Sequence, residues 1–153
     1  MLQGYRFETL TDFVGKPLGL TQWHDVTQEQ IQQFADCTGD HQWIHVDAVR
    51  CASESPFGAP VAHGFPTLSL LAKLLMDLGV VPTGVSRAIN AGVDGVRFKA
   101  PVRAGSRVRA RATIESARTK GDARALLVTS AALEVEGEDD PALAAQITLM
   151  LFR

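Results

Sequence analysis

From residue 107 onward, hydrophobic and polar positions alternate. Val108, Ala110, Ala112 and Ile114 are apolar, while Arg107, Arg109, Arg111, Thr113 and Glu115 lie between and around them. That period of two predicts a strand with one buried and one wet face. Segments at about 86–99, 123–135 and 142–152 predict three more long strands. Turn-forming residues fill the connections 101–105, 119–122 and 137–141, so neighbouring strands are expected to run antiparallel.

The first half of the chain keeps a different period. Thr27 and Gln30 form a Thr-x-x-Gln capping box, Ile31, Phe34 and Ala35 recur at helical spacing, and Gly39 ends the run. This predicts an amphipathic helix over 27–38. Asp40, His41 and His45 follow it in an expected loop. Residues 56–64 hold Pro56, Gly58, Pro60 and Gly64 and predict an irregular segment. A second helix is predicted from about Pro66 to Leu78, stopped by Gly79. Apolar residues cover most of its circumference and leave only Ser69, Lys73 and Asp77 as a polar stripe, so the helix is expected to be wrapped. The resulting picture is α+β: an antiparallel sheet curled around one buried helix.

Composition narrows the classes. A chain of 153 residues, 46% hydrophobic and 21% charged, is expected to be a single domain over 1–153 with its own core. The formal charge of -2 gives no global attraction to nucleic acid or anionic membrane. Arg6, Glu8, Asp12 and Lys16 interrupt the first 20 residues, and no later stretch reaches 18 apolar residues. Neither an export signal nor a membrane span is expected. Cys37 and Cys51 have no metal-binding or disulfide-framework spacing, and a reducing cytoplasm is the expected setting.

Two stretches carry candidate chemistry. Asp40 and His45, five residues apart just past a helix end, pair an acceptor with a group that titrates near neutrality. Together they can hold a water, take its proton and return one, the equipment of a hydratase or hydrolase. Taken alone, Asp40 is also an ordinary turn residue and His45 an ordinary packed side chain. His41 and His45 with Asp40 lack the zincin Glu and a helix to align the rings, so no metal is expected. Neither cysteine has a nucleophile signature. The second stretch, Val61-Ala62-His63-Gly64-Phe65-Pro66-Thr67, enters the buried helix. Its first-turn N–H groups have no intrahelical partner, and Gly64 lets a ligand oxygen such as a thioester carbonyl approach them. His63 and Gly64 are therefore the candidate oxyanion and substrate-binding residues, against the plainer reading of a tight turn and a packed ring.

With both stretches in one short chain, the sequence resembles the MaoC-like dehydratases and (R)-specific enoyl-CoA hydratases. Phe34, Thr38, Gly39, Asp40, Ile44 and His45 fall at the spacing of that family's hydratase motif, with Gln42 and Trp43 where Asn and Pro are usual. That departure is shared with the nodulation-protein-N-like branch. Phe57 to Gly64 looks like the family's overhanging segment, and Gly92 to Val102 with Gly105 like its strand and hairpin after the central helix. The resemblance implies a hot-dog fold, a homodimer with the substrate tunnel near the subunit boundary, and reversible syn hydration of a trans-2-enoyl thioester to a (3R)-hydroxyacyl thioester. It implies that Asp40 and His45 activate water and that the Gly64 N–H holds the thioester oxygen. No cofactor is expected, coenzyme A entering only as part of the acyl-CoA substrate.

Charge is unevenly placed: residues 87–124 hold ten of the 15 basic residues and three acids. Arg107, Arg109 and Arg111 on one strand face read either as a solvated face or as a dock for coenzyme A phosphates. Residues 100–124 hold no aromatic side chain, which sets nucleic-acid binding aside. Two rivals to hydration share the fold: an acyl-CoA thioesterase and a non-catalytic acyl-thioester binding protein.

Overall fold

The computed structural model describes residues 2–153. A 3-10 helix at Phe7–Phe13 leads into strands β1 (Pro17–Leu20) and β2 (His24–Asp25), then helices α1 (Gln28–Thr38), α2 (Trp43–Val46), α3 (Ala48–Glu54) and α4 (Gly64–Asp77). Strands β3 (Arg87–Phe98), β4 (Arg107–Lys120), β5 (Arg124–Val135) and β6 (Leu143–Phe152) complete the chain. The sheet runs β1-β4-β5-β6-β3 with β2 also on β4, and its ladders are antiparallel.

The alternation seen in the sequence builds the core. Val108, Ala110 and Ile114 of β4, Leu127 and Leu133 of β5, and Ile147 and Leu149 of β6 pack with Leu71, Leu74 and Leu75 of α4. The four long strands begin and end within a residue of expectation, except that β4 continues to Lys120 to make a long hairpin with β5. The central helix starts two residues earlier than predicted. Pro66 sits in its first turn, where backbone N–H groups have no partner to lose, so a proline there need not mark the first position.

The wrapping is one-sided: Phe65, Ser69, Lys73, Met76 and Asp77 stay exposed along α4, with Lys73 and Asp77 forming an ion pair at 2.5 Å. No residue of β3 is buried, although that strand ends beside the start of α4. Among the described residues no helix is long and apolar enough to cross a membrane.

Candidate active site

The first half of the chain folds back so that three loop and helix ends meet at the N-terminus of α4. The capping box forms as read: Thr27 Oγ1 accepts from the Gln30 N–H (3.2 Å) and Gln30 Oε1 from the Thr27 N–H (2.9 Å). Gly39 closes α1 in the left-handed region (φ 81°), a conformation costly for any residue with a Cβ. That turn presents Asp40. His45 lies on a helical turn, α2, and not in the loop expected for it. The turn carries no periodicity of its own and depends on tertiary contacts. Gln28 Nε2 donates to the His45 carbonyl (2.8 Å), and the Val61 N–H donates to the Ile44 carbonyl (3.0 Å).

The imidazole of His45 is buried, and its Nδ1 lies 2.6 Å from the Val61 carbonyl. A carbonyl only accepts, so Nδ1 carries the proton and the Nε2 lone pair is left for another donor. His63 stacks on this ring, with centroids 3.7 Å apart and planes 24° apart, and also packs against Phe34 at 4.9 Å. His63 Nε2 donates to the Asp40 main-chain carbonyl (2.9 Å) and stands 3.9 Å from the Asp40 carboxylate. A carboxylate oxygen of Asp40 and one nitrogen of each ring lie within 4.8 Å of one another. Two hydrogen bonds through one water span such a gap. The Asp40 side chain is half-exposed, so solvent reaches the group. As a chelate the trio is poor: stacked rings send their in-plane lone pairs side by side instead of toward one point.

Gly64 is the first residue of α4, directly after His63. Its backbone is not in the left-handed region; the need for glycine comes from Phe98, whose ring carbons lie 3.0 to 3.2 Å from where a Cβ would stand. Thr67 is buried and donates to the Gly64 carbonyl (2.6 Å). Two cavities flank this first turn. One of about 170 Å³ lies toward α1, lined by Val26, Ile31, Pro66 and Leu70 among others. One of about 290 Å³ lies toward Phe57, Phe98 and Lys99 and includes Gly64. Ala62 and Thr67 line both; Asp40, His45 and His63 line neither.

Other candidates lie apart. His41 turns away to Asp36 (2.9 Å). Cys37 is exposed, and burial pushes the Cys51 thiol above its ordinary pKa. Arg107, Arg109 and Arg111 of β4 are engaged by carboxylates, Arg107 by Glu136 and both Arg109 and Arg111 by Glu134 at 2.8 Å, so these three form a paired outer face and not a free phosphate dock. Gln28 and Phe98 bear on the site without a local sequence signal, because their partners lie 17 and 34 residues away in the chain.

An antiparallel sheet around one helix, with a carboxylate and two imidazoles gathered at that helix's N-terminus, defines a hot-dog protein of the dehydratase type. The family model described as "MaoC like domain" matches residues 10–136, and the chain belongs to that family. It is 45% identical over 143 residues to 3-hydroxyacyl-thioester dehydratase Z of Mycobacterium tuberculosis H37Rv, covering 92% of this chain and 93% of that one. It is 42% identical over 138 residues to nodulation protein N of Rhizobium meliloti, covering 89% and 84%. Among solved structures, the MaoC-like dehydratase from Rhodospirillum rubrum superposes with a TM-score of 0.75 at 22% identity, covering 98% of both chains. The (R)-hydratase from A. caviae involved in PHA biosynthesis superposes with a TM-score of 0.70 at 20% identity, covering 89% of this chain and 94% of that one.

Proposed function

We propose that this protein is an (R)-specific enoyl-CoA hydratase, adding water reversibly to a trans-2-enoyl thioester to give a (3R)-hydroxyacyl thioester. The observation that carries the proposal is the Asp40–His45 pair: a carboxylate oxygen and an imidazole nitrogen within 4.8 Å, in a cluster whose third member, His63, directly precedes Gly64 at the start of α4. The 3-hydroxyacyl-thioester dehydratase among the relatives supports the same reaction class.

In the forward direction one water donates to Asp40 and to His45 Nε2. Its oxygen bonds to C3 as its proton passes to the pair, the C2=C3 π electrons move toward the thioester carbonyl, and the pair returns a proton to C2 on the same face. The negative charge that gathers on the carbonyl oxygen meets the Gly64 N–H, a contact worth about 10² to 10³ in rate. No resident cofactor is required; coenzyme A arrives with the substrate. The cavity toward Lys99 suits the carrier arm. The cavity toward α1, lined mostly by apolar side chains, suits the acyl chain. We further propose a homodimer, because β3 leaves one edge unpaired and has no fully buried residue, next to the site.

The test is loss of enoyl absorbance with crotonyl-CoA, chiral analysis of the product and a parallel thiol-release measurement. Formation of (3R)-hydroxybutyryl-CoA, with Asp40→Asn and His45→Gln each lowering kcat by about 10² to 10⁴, is the expected result. Thiol release without alkene loss reassigns the protein as a thioesterase; binding with no turnover reassigns it as a carrier.

A further inference from the structure

We propose that His63 is a positioning residue that fixes Asp40 in place through the main chain and takes no direct part in contacting substrate. The inference rests on the reading of Asp40 and His45 as the water-holding pair. His63 is only 4% exposed, so its ring is part of the wall behind the site. Its one N–H is spent on the Asp40 carbonyl at 2.9 Å, anchoring the residue whose carboxylate is otherwise carried on an exposed turn.

The contact is part of a compact arrangement. Within the four residues 61–64, the Val61 carbonyl sets the tautomer of His45, the His63 N–H holds Asp40, and the Gly64 amide opens α4. The His63 ring also lies flat on His45, limiting the tilt of that imidazole. All three proposed reacting groups are thus indexed to one short piece of backbone, itself tied to the sheet by the Ala62 N–H on the Val102 carbonyl (2.7 Å).

What separates this from ordinary packing is the other nitrogen. His63 Nδ1 is shut off from solvent and has no hydrogen-bond partner among the described residues. A buried acceptor without a donor is a net cost to the fold. A phenyl ring would keep the stack on His45 and Phe34 and avoid that cost. An imidazole at this position therefore carries an unpaired nitrogen that a phenyl ring would not, and what it has in exchange is the Nε2–H on the Asp40 carbonyl.

The test compares His63→Phe, which keeps the ring and loses the donor, with His63→Gln, whose amide nitrogen reaches about as far as Nε2. In the full-length protein, His63→Phe should melt no lower than wild type while kcat for crotonyl-CoA hydration falls about 10- to 100-fold, the scale of a misplacement near 1 Å. KM should stay within about twofold, as for loss of an interaction felt only in the transition state. His63→Gln should recover much of the lost kcat. The ¹³C resonance of the Asp40 carbonyl should move in His63→Phe and return toward wild type in His63→Gln. Wild-type kcat in His63→Phe, a raised KM at unchanged kcat, or an unmoved Asp40 resonance would each overturn the proposal. If the wild-type protein hydrates no enoyl thioester, the functional reading falls, and the Asp40 resonance alone then decides whether His63 fixes that residue.

Discussion

His41 and His45 stand four residues apart, and the sequence offers both as candidates, yet they serve different neighbours. His41 Nε2 pairs with Asp36 on the open side of α1. The hydrogen bond to Asp36 raises the His41 pKa, and bonds from His41 and Gln32 lower that of Asp36. The raised His41 contributes stability below its unfolded value of about 6.5 and loses it as pH rises through the folded value; the lowered Asp36 contributes above about 4 and loses it as pH falls through its folded value. The pair is therefore fully favourable only between about pH 4 and 6.5. Both groups are solvent-exposed, so the effect should show in titration and barely in stability. The His41 midpoint, followed by NMR, should lie above that of a free histidine and fall back in Asp36→Asn, while His41→Gln leaves hydration unchanged.

At Gly64 the structure adds a reason for glycine that the sequence reading did not contain. The helix start suggested room for a ligand oxygen, whereas the close approach of Phe98 was not legible, because strand β3 reaches this point only through the sheet. Gly64→Ala should cost roughly 1–3 kcal/mol by overpacking, read as a lower urea midpoint. Most of that cost should vanish in a Phe98→Ala background, since the two positions share one contact.

At the scale of elements, what the sequence makes legible is what local chemistry decides. The α1 cap, its glycine stop and the long alternating strands each follow from residues within one turn or one strand. β1 and β2 are short and mostly exposed, and exist because β4 offers them an edge. α2 is held by Gln28, Val61 and the Cys51 segment, none of them local to Trp43–Val46. The Asp40–His45 spacing was therefore readable while the means of closing it was not. α1 gives the quantitative check. Gly39→Ala must enter the left-handed region at a cost of about 1–2 kcal/mol, and Thr27→Ala should lose about 1 kcal/mol of capping. If α1 serves chiefly to aim Asp40, Gly39→Ala will lower kcat further than Thr27→Ala at matched stability, because its strain lies next to Asp40 and the cap lies a helix length away.

For the whole molecule, the decisive feature is the unfinished flank at β3. The chain exposes 8356 Å² for 16.5 kDa, about a tenth more than the roughly 7,500 Å² typical of a folded monomer of that mass. Among the described residues, β3 pairs with no strand but β6. Val93 and Phe98 share the face of their buried β6 partners Ile147 and Leu143, yet are 43% and 49% exposed, and Phe65 beside them is 71% exposed. An open strand edge with an apolar face is a template for a further strand, and a second copy of β3 in antiparallel pairing would supply one by two-fold symmetry. That copy would also roof the cavity holding Gly64 and Phe98, so that on the proposed reading the oxyanion side of the site would be complete only in the pair. Sedimentation at micromolar concentration should give twice the 16.5 kDa chain mass. Val93→Lys should yield monomers, and hydration per chain should fall as that dissociation proceeds. A Val93→Lys protein that sediments as a monomer with full activity would leave the site within one chain and remove the reason for the pairing.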